Sequence, residues 1–195
     1  MVVQEIFGVN VHIRSVADGY AADGFLAIAP ALFDRAERGV ELGYEQSDIE
    51  NGIKIARGGT LDQDKILLDI RAAATEVKRA GKVGIVGYCW GGYLASLAAI
   101  ELPDVISAAV GYYGGGVAGL IDRTPQVPLL LHFGEQDHAI PLTDVEKVGE
   151  AWPEATVHVY DGAEHGFNCD RRASFHPASA ELARARSLEF FAEHL

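Results

Sequence analysis

One run of this 195-residue chain sets a nucleophile in an informative context: Gly87-Tyr88-Cys89-Trp90-Gly91-Gly92. It has the form G-x-C-x-G, the thiol version of the G-x-S-x-G nucleophile elbow. It lies between an apolar run and a helical pattern, the strand–turn–helix setting that the motif demands. A nucleophile on so sharp a turn takes a strained backbone conformation. Side chains two before and two after it would collide with neighbouring segments, which accounts for Gly87 and Gly91. A helix starting at the turn aims backbone N–H groups and a positive dipole end toward the sulfur, as in reactive cysteines. The bland alternative for Cys89 is a small buried hydrophobe.

A thiol nucleophile needs a base, and the base needs an acid to orient it. With an elbow, the chain order is nucleophile, then acid, then histidine. Downstream, an apolar run ends in Gly134-Glu135-Gln136-Asp137-His138, which puts Asp137 in the loop beyond a buried strand. The next strand pattern runs into Asp161-Gly162-Ala163-Glu164-His165-Gly166-Phe167, placing His165 in the following loop. Both loops then share the sheet edge that carries Cys89. The other histidines fit less well. His12 and His194 fall in helical patterns, His132 and His158 inside strands, His138 out of order, and His176 before Pro177 at a helix entrance. For Asp137 the competing reading is an ordinary solvated turn residue beside Glu135.

The elements that must position these groups alternate. Apolar runs at residues 2–4, 25–29, 83–87, 106–113, 127–133 and 156–160 predict six strands. Unbroken rather than alternating apolar content points to a parallel sheet covered on both faces. Helical spacing is read at 10–23, 62–80, 90–101 and 178–194, while 31–59 reads as one long irregular stretch. This is the signature of α/β architecture in one domain, 1–195. Sixteen Lys+Arg against 28 Asp+Glu leave a net charge of −12, which argues against a nucleic-acid partner. The uncharged stretches 83–100 and 105–121 are broken by nine glycines and so read as strand and turn rather than membrane spans. Two cysteines and no leader pattern favour a reducing, cytoplasmic setting.

The sequence resembles the dienelactone hydrolase (carboxymethylenebutenolidase) family of α/β-hydrolases. The resemblance rests on Gln4-Glu5-Ile6-Phe7-Gly8-Val9-Asn10, the elbow, Gly111-Tyr112-Tyr113-Gly114, Gly134-Glu135-Gln136-Asp137-His138 and Ala163-Glu164-His165-Gly166-Phe167. It implies a mostly parallel sheet flanked by helices and a Cys89–Asp137–His165 triad. It further implies that Glu5 contacts the resting thiol and that the Ile6 and Trp90 N–H groups form an oxyanion hole. Taken without the family, Glu5 is an acid at a strand end and more simply solvated. Relatives usually carry a few dozen residues before Gln-Glu-Ile-Phe-Gly, so the usual amino-terminal edge strands are expected to be missing. An apolar edge would then be exposed or covered by a partner chain. The family's substrate-binding arginine, four residues past the histidine, is here Cys169, with Arg171 and Arg172 just beyond. No arginine occurs at 47–55, where the family's other one is expected.

The expectation is therefore an ester or lactone hydrolase acting through a thioester, without cofactor or metal, as a monomer or homodimer. Tyr88, Tyr113, Phe167 and Arg171 are the expected substrate-binding residues. Two rival readings stand beside it. Gly114-Gly115-Gly116-Val117-Ala118-Gly119 is a literal G-x-G-x-x-G, but Pro125 leaves little room for the helix a dinucleotide site needs. A non-catalytic binding or interaction protein on the same fold is the other.

Overall fold

The structure, a computed structural model, describes residues 1–195. Five strands form one parallel sheet: β1 (Val2–Val3), β2 (Gly84–Tyr88), β3 (Ala108–Tyr112), β4 (Leu129–Gly134) and β5 (Thr156–Tyr160). They lie in chain order across the sheet. Six α-helices accompany them: α1 (Val11–Ala22), α2 (Gln46–Arg57), α3 (Gln63–Val77), α4 (Trp90–Glu101), α5 (Leu142–Ala151) and α6 (Pro177–His194).

β2, β3 and β4 are buried along their whole length, which explains their unbroken apolar content. Side chains alternate between faces along a strand. Gly111 faces α4, where a Cβ would meet Gly92 O at 3.0 Å. Its neighbour Tyr112 faces the other way, its hydroxyl 2.8 Å from Ser187 Oγ on α6. Helices α4 and α6 therefore cover opposite faces. β1 and β5 are the two edge strands, and β5 is mostly half-exposed. No helix is long and apolar enough to cross a membrane.

Three expectations change. Residues 25–29 are not a strand: they run extended beside β1, with only the Val2 N–H donating to Ile28 O, at 2.8 Å. The sheet thus has five strands rather than six. The stretch 31–59 is not wholly irregular. It contains the single-turn helix Leu32–Arg35 and α2, which has a capping box between Glu45 and Asp48. α2 is polar on average yet more strongly amphipathic than α3, so its helical period is present in the sequence. α5, between β4 and β5, also went unread. The glycines at 114–119 lead only into a 3₁₀ turn, Val117–Leu120, with no α-helix to hold a pyrophosphate.

The chain passes from β1 outward to residues 25–29, then returns across β1 to begin β2. Cys89, Asp137 and His165 all follow the carboxyl ends of strands β2, β4 and β5, the edge of an open α/β sheet where ligands bind.

Candidate active site

β2 runs straight into Cys89, which has φ 54° and ψ −116°, and α4 begins at the next residue. This strained conformation is held by backbone packed on backbone. A Cβ on Gly87 would lie 1.9 Å from Gly91 O, and one on Gly91 would lie 2.5 Å from Val3 O. The Cys89 N–H donates to Tyr112 O at 3.0 Å, and Cys89 O accepts from the Gly92 N–H at 2.9 Å. The turn cannot relax without parting β1, β2 and α4.

Asp137 and His165 arrive from neighbouring loops that are themselves locked together. A Cβ on Gly134 would meet Ala163 O at 2.3 Å, and the Gln136 N–H donates to Ala163 O at 2.9 Å. Asp137 is buried; its Oδ1 accepts from the Ala139 N–H at 2.8 Å. Its Oδ2 lies 2.7 Å from His165 Nδ1, and His165 Nε2 lies 3.2 Å from Cys89 Sγ. The order is carboxylate, imidazole, sulfur. Burial works against an imidazolium here, but the hydrogen bonds to Asp137 and Cys89 outweigh it and raise the His165 pKa to about 10. Ser174 Oγ donates to His165 O at 2.8 Å and steadies the loop.

Neither the Ile6 N–H nor the Trp90 N–H donates to a protein acceptor, so both are free to meet an oxyanion. The Ile6 segment is pinned by α2, where a Cβ on Gly52 would lie 2.1 Å from Ile6 O. Gln4 also holds it, through Oε1 accepting from the Leu32 N–H at 3.1 Å.

The expected substrate-binding residues fare differently. Tyr88, Tyr113 and Phe167 are at most 2% exposed and form packing beneath the site rather than its walls. Their aromatic area is worth more buried than facing a wet crevice. Tyr113 sets its ring against the edge of His165, with centroids 5.2 Å apart. Arg171 points to solvent beside Asp170, so it does not reach the site. Arg172 does turn inward. Its guanidinium packs on Gly166, where a Cβ would lie 2.4 Å from Nη1, and sits 3.7 Å from Glu5 Oε1. The signal for Arg172 was Gly166 itself, whose φ of +80° and missing side chain make room for it.

Glu5 is fully buried, not solvated. It makes no hydrogen bond to the Cys89 thiol, and both its carboxylate oxygens lack any hydrogen-bond partner. Instead it lies beside His12 and Cys169, both buried. Cys169 has its pKa pushed up to about 11, chiefly by burial and then by the Glu5 charge, so it is a neutral thiol near pH 7. Residues 5, 12 and 169 share no sequence spacing that could have announced their meeting.

Comparison with known proteins shows the family to which the chain belongs. The profile of the dienelactone hydrolase family matches residues 1–195. The carboxymethylenebutenolidase of Pseudomonas putida is 33% identical over 202 residues, covering 98% of this chain and 84% of that protein. A candidate carboxymethylenebutenolidase of Azospirillum brasilense is 37% identical over 205 residues, covering 100% and 87%. The crystal structure of a candidate dienelactone hydrolase from Klebsiella pneumoniae superposes with a TM-score of 0.83 at 32% identity, covering 99% of this chain and 85% of that one.

Proposed function

Because the chain belongs to the dienelactone hydrolase family, we propose that it hydrolyses a small ester or lactone through a cysteine nucleophile, with Cys89, His165 and Asp137 as its triad. The observation that carries this reading is the row of contacts Asp137 Oδ2–His165 Nδ1 at 2.7 Å and His165 Nε2–Cys89 Sγ at 3.2 Å. In this row the imidazole stands between the carboxylate and the sulfur, and the sulfur is the attacking group.

Cys89 Sγ adds to the carbonyl carbon, forming an S–C bond and moving the carbonyl pair onto oxygen. The Ile6 and Trp90 N–H groups receive that oxyanion, each donor of this kind contributing about 2.7–4 kcal/mol. The pair then returns, the C–O bond of the ester breaks, and His165 Nε2 gives its proton to the departing oxygen. In a lactone that oxygen stays tethered, so the ring opens into a thioester. His165 next takes a proton from water, which adds to the thioester carbonyl. Collapse releases the carboxylic acid and restores sulfur and imidazolium. Asp137 holds Nδ1 throughout, so Nε2 alone faces the reaction.

Arg172, rather than Arg171, is the cation that reaches the crevice and is placed to meet an acidic substrate. The protein acts on a small molecule, in the cytoplasm, as a monomer or homodimer. The test is a panel of lactones and aryl esters assayed with the native enzyme and with Cys89→Ala. Turnover should fall by at least about 10⁴-fold in the variant. Hydrolysis retained by Cys89→Ala would refute the assignment.

A further inference from the structure

The segment leading into α2 closes onto the turn after β1 and brings an aromatic ring with it. Gly8 has φ +77°, and a Cβ there would lie 1.9 Å from Val40 O, so only a missing side chain lets the two segments meet. The Leu42 N–H donates to Phe7 O at 2.9 Å. Asn10 then uses its whole amide. Its Oδ1 accepts from the Ile13 N–H at 3.2 Å and caps α1, while Nδ2 donates to Leu42 O and to the Tyr44 hydroxyl, each at 3.1 Å. Tyr44 is thereby fixed half-buried and edge to face with Phe7, their centroids 4.7 Å apart.

Arg172 lies against the same two rings. Its Cζ is 6.0 Å from each ring centroid, at the range of a cation–π attraction. Its Nη1 pairs with Glu5 Oε1 at 3.7 Å, too far for a hydrogen bond, and its side chain is only 20% exposed. None of its guanidinium N–H groups donates to a protein acceptor. A largely buried cation with unused donors is costly until something takes them. We propose that Tyr44, together with Phe7, is a positioning residue that makes the site selective for esters bearing a carboxylate. It does so by holding Arg172 off Glu5, so that the guanidinium donors stay free for the substrate. The inference rests on the hydrolase reading above and adds what sets its substrate preference.

Two carboxylates compete for this guanidinium, one on Glu5 and one on the substrate. Arginine and carboxylate in direct contact form paired N–H···O bonds, and a move of about 1 Å toward Glu5 would spend the donors there. The rings of Phe7 and Tyr44 offer the cation a competing attraction, and Gly166 leaves room for it to stay where they hold it. A cation fixed beforehand spares the substrate the cost of ordering it. The chain's net charge of −12 repels an anion in general, and Arg171 is turned away, so the choice of an acidic substrate falls to this one guanidinium. A neutral ester in the same place leaves those donors unpaired, which a site built on polar partners penalises.

The test sets the nitrophenyl half-ester of a short dicarboxylic acid against the nitrophenyl ester of the neutral acid of equal length. The native protein should prefer the half-ester. Tyr44→Leu keeps an apolar side chain without a π-face and should cut that preference about tenfold, through KM rather than kcat. Tyr44→Phe keeps the ring and loses only the bond from Asn10, so it should stay within about threefold of the native preference. Replacing Tyr44 by phenylalanines of increasing fluorine content keeps the ring's shape while draining its π-face. The preference should fall stepwise along that series, which decides the matter if Tyr44→Leu does not fold. Calorimetry with the free dicarboxylic acid reads the same clamp without turnover, and Tyr44→Leu should bind it about tenfold more weakly than the native protein. The proposal is overturned if Tyr44→Leu or the fluorinated series keeps the native preference, if Tyr44→Phe loses it, or if Arg172→Met leaves it intact. It is equally overturned if the native protein neither prefers the half-ester nor binds the diacid. If neither ester is turned over while the calorimetric difference holds, the clamp stands and the hydrolase reading fails.

Discussion

Two buried polar clusters in this molecule solve the same problem differently. Under α6, Ser187 Oγ donates to Ala183 O and receives from the Tyr112 hydroxyl at 2.8 Å and His132 Nε2 at 3.0 Å. The Tyr160 hydroxyl completes the chain by donating to His132 Nδ1 at 2.8 Å. Donors and acceptors alternate, the His132 tautomer is set, and every group has a partner. Beside β1, Glu5 and His12 are just as buried yet hold three atoms with none. The same chain that closes one network leaves the other open. A closed network is a structural brace, whereas the open one leaves Glu5 to the Arg172 charge alone, at 3.7 Å.

The triad is a third cluster, closed like the first but put to chemical use, and breaking it should have the largest effect. Asp137→Asn should keep the fold and lower kcat/KM for a reactive aryl ester about 10³–10⁴-fold, the scale seen when the acid of a serine triad loses its charge. A loss below tenfold would mean that the Asp137–His165 contact is a brace only.

Breaking the closed network comes next. Ser187→Ala leaves the Tyr112 hydroxyl and His132 Nε2 without their shared acceptor and should cost about 1–3 kcal/mol in urea denaturation. An unchanged midpoint would erase the contrast between the two clusters.

The pH dependence sharpens it further. Burial, then the nearby His158 and Arg186, hold the His132 pKa well below the usual 6.5. The folded state therefore resists a proton that the unfolded chain accepts. That contribution to stability is present above about pH 6.5 and is lost as pH falls below it. Melting temperature should drop from pH 7 to pH 5, and the drop should be shallower in His132→Leu. His165 works in the opposite sense. Its raised pKa stabilises the fold fully below about pH 6.5, and the effect fades as pH climbs toward about 10. The stability gap between native protein and His165→Ala should close over that interval.

The smallest effect belongs to Tyr113→Phe. Its hydroxyl is buried without a partner, so removing it should change stability by no more than about 0.5 kcal/mol, or raise it slightly. A loss above about 1 kcal/mol would show that this oxygen is satisfied in solution.

Much of the site was legible along the chain because its parts are local motifs. Gly87 and Gly91 announce a turn that only missing side chains permit, and buried parallel strands write themselves as apolar runs ending in the loops of Asp137 and His165. The long α3, with five buried apolar positions, was equally clear, while the shorter α2 and α5, with two buried positions each, were not, although both are amphipathic. Tyr88, Tyr113 and Phe167 misled for a related reason. An aromatic residue near a sheet edge has the same composition whether it lines a pocket or lies beneath one.

The linear order of residues determined the α/β alternation, the elbow, and the succession of thiol, carboxylate and imidazole, because each depends on neighbours within a few positions. Tertiary structure alone decided that residues 25–29 stay outside the sheet, that Arg172 rather than Arg171 turns inward, and that positions 5, 12 and 169 meet. Those outcomes depend on how a helix, a strand end and a distant loop pack in three dimensions, and no period or spacing in one dimension records that.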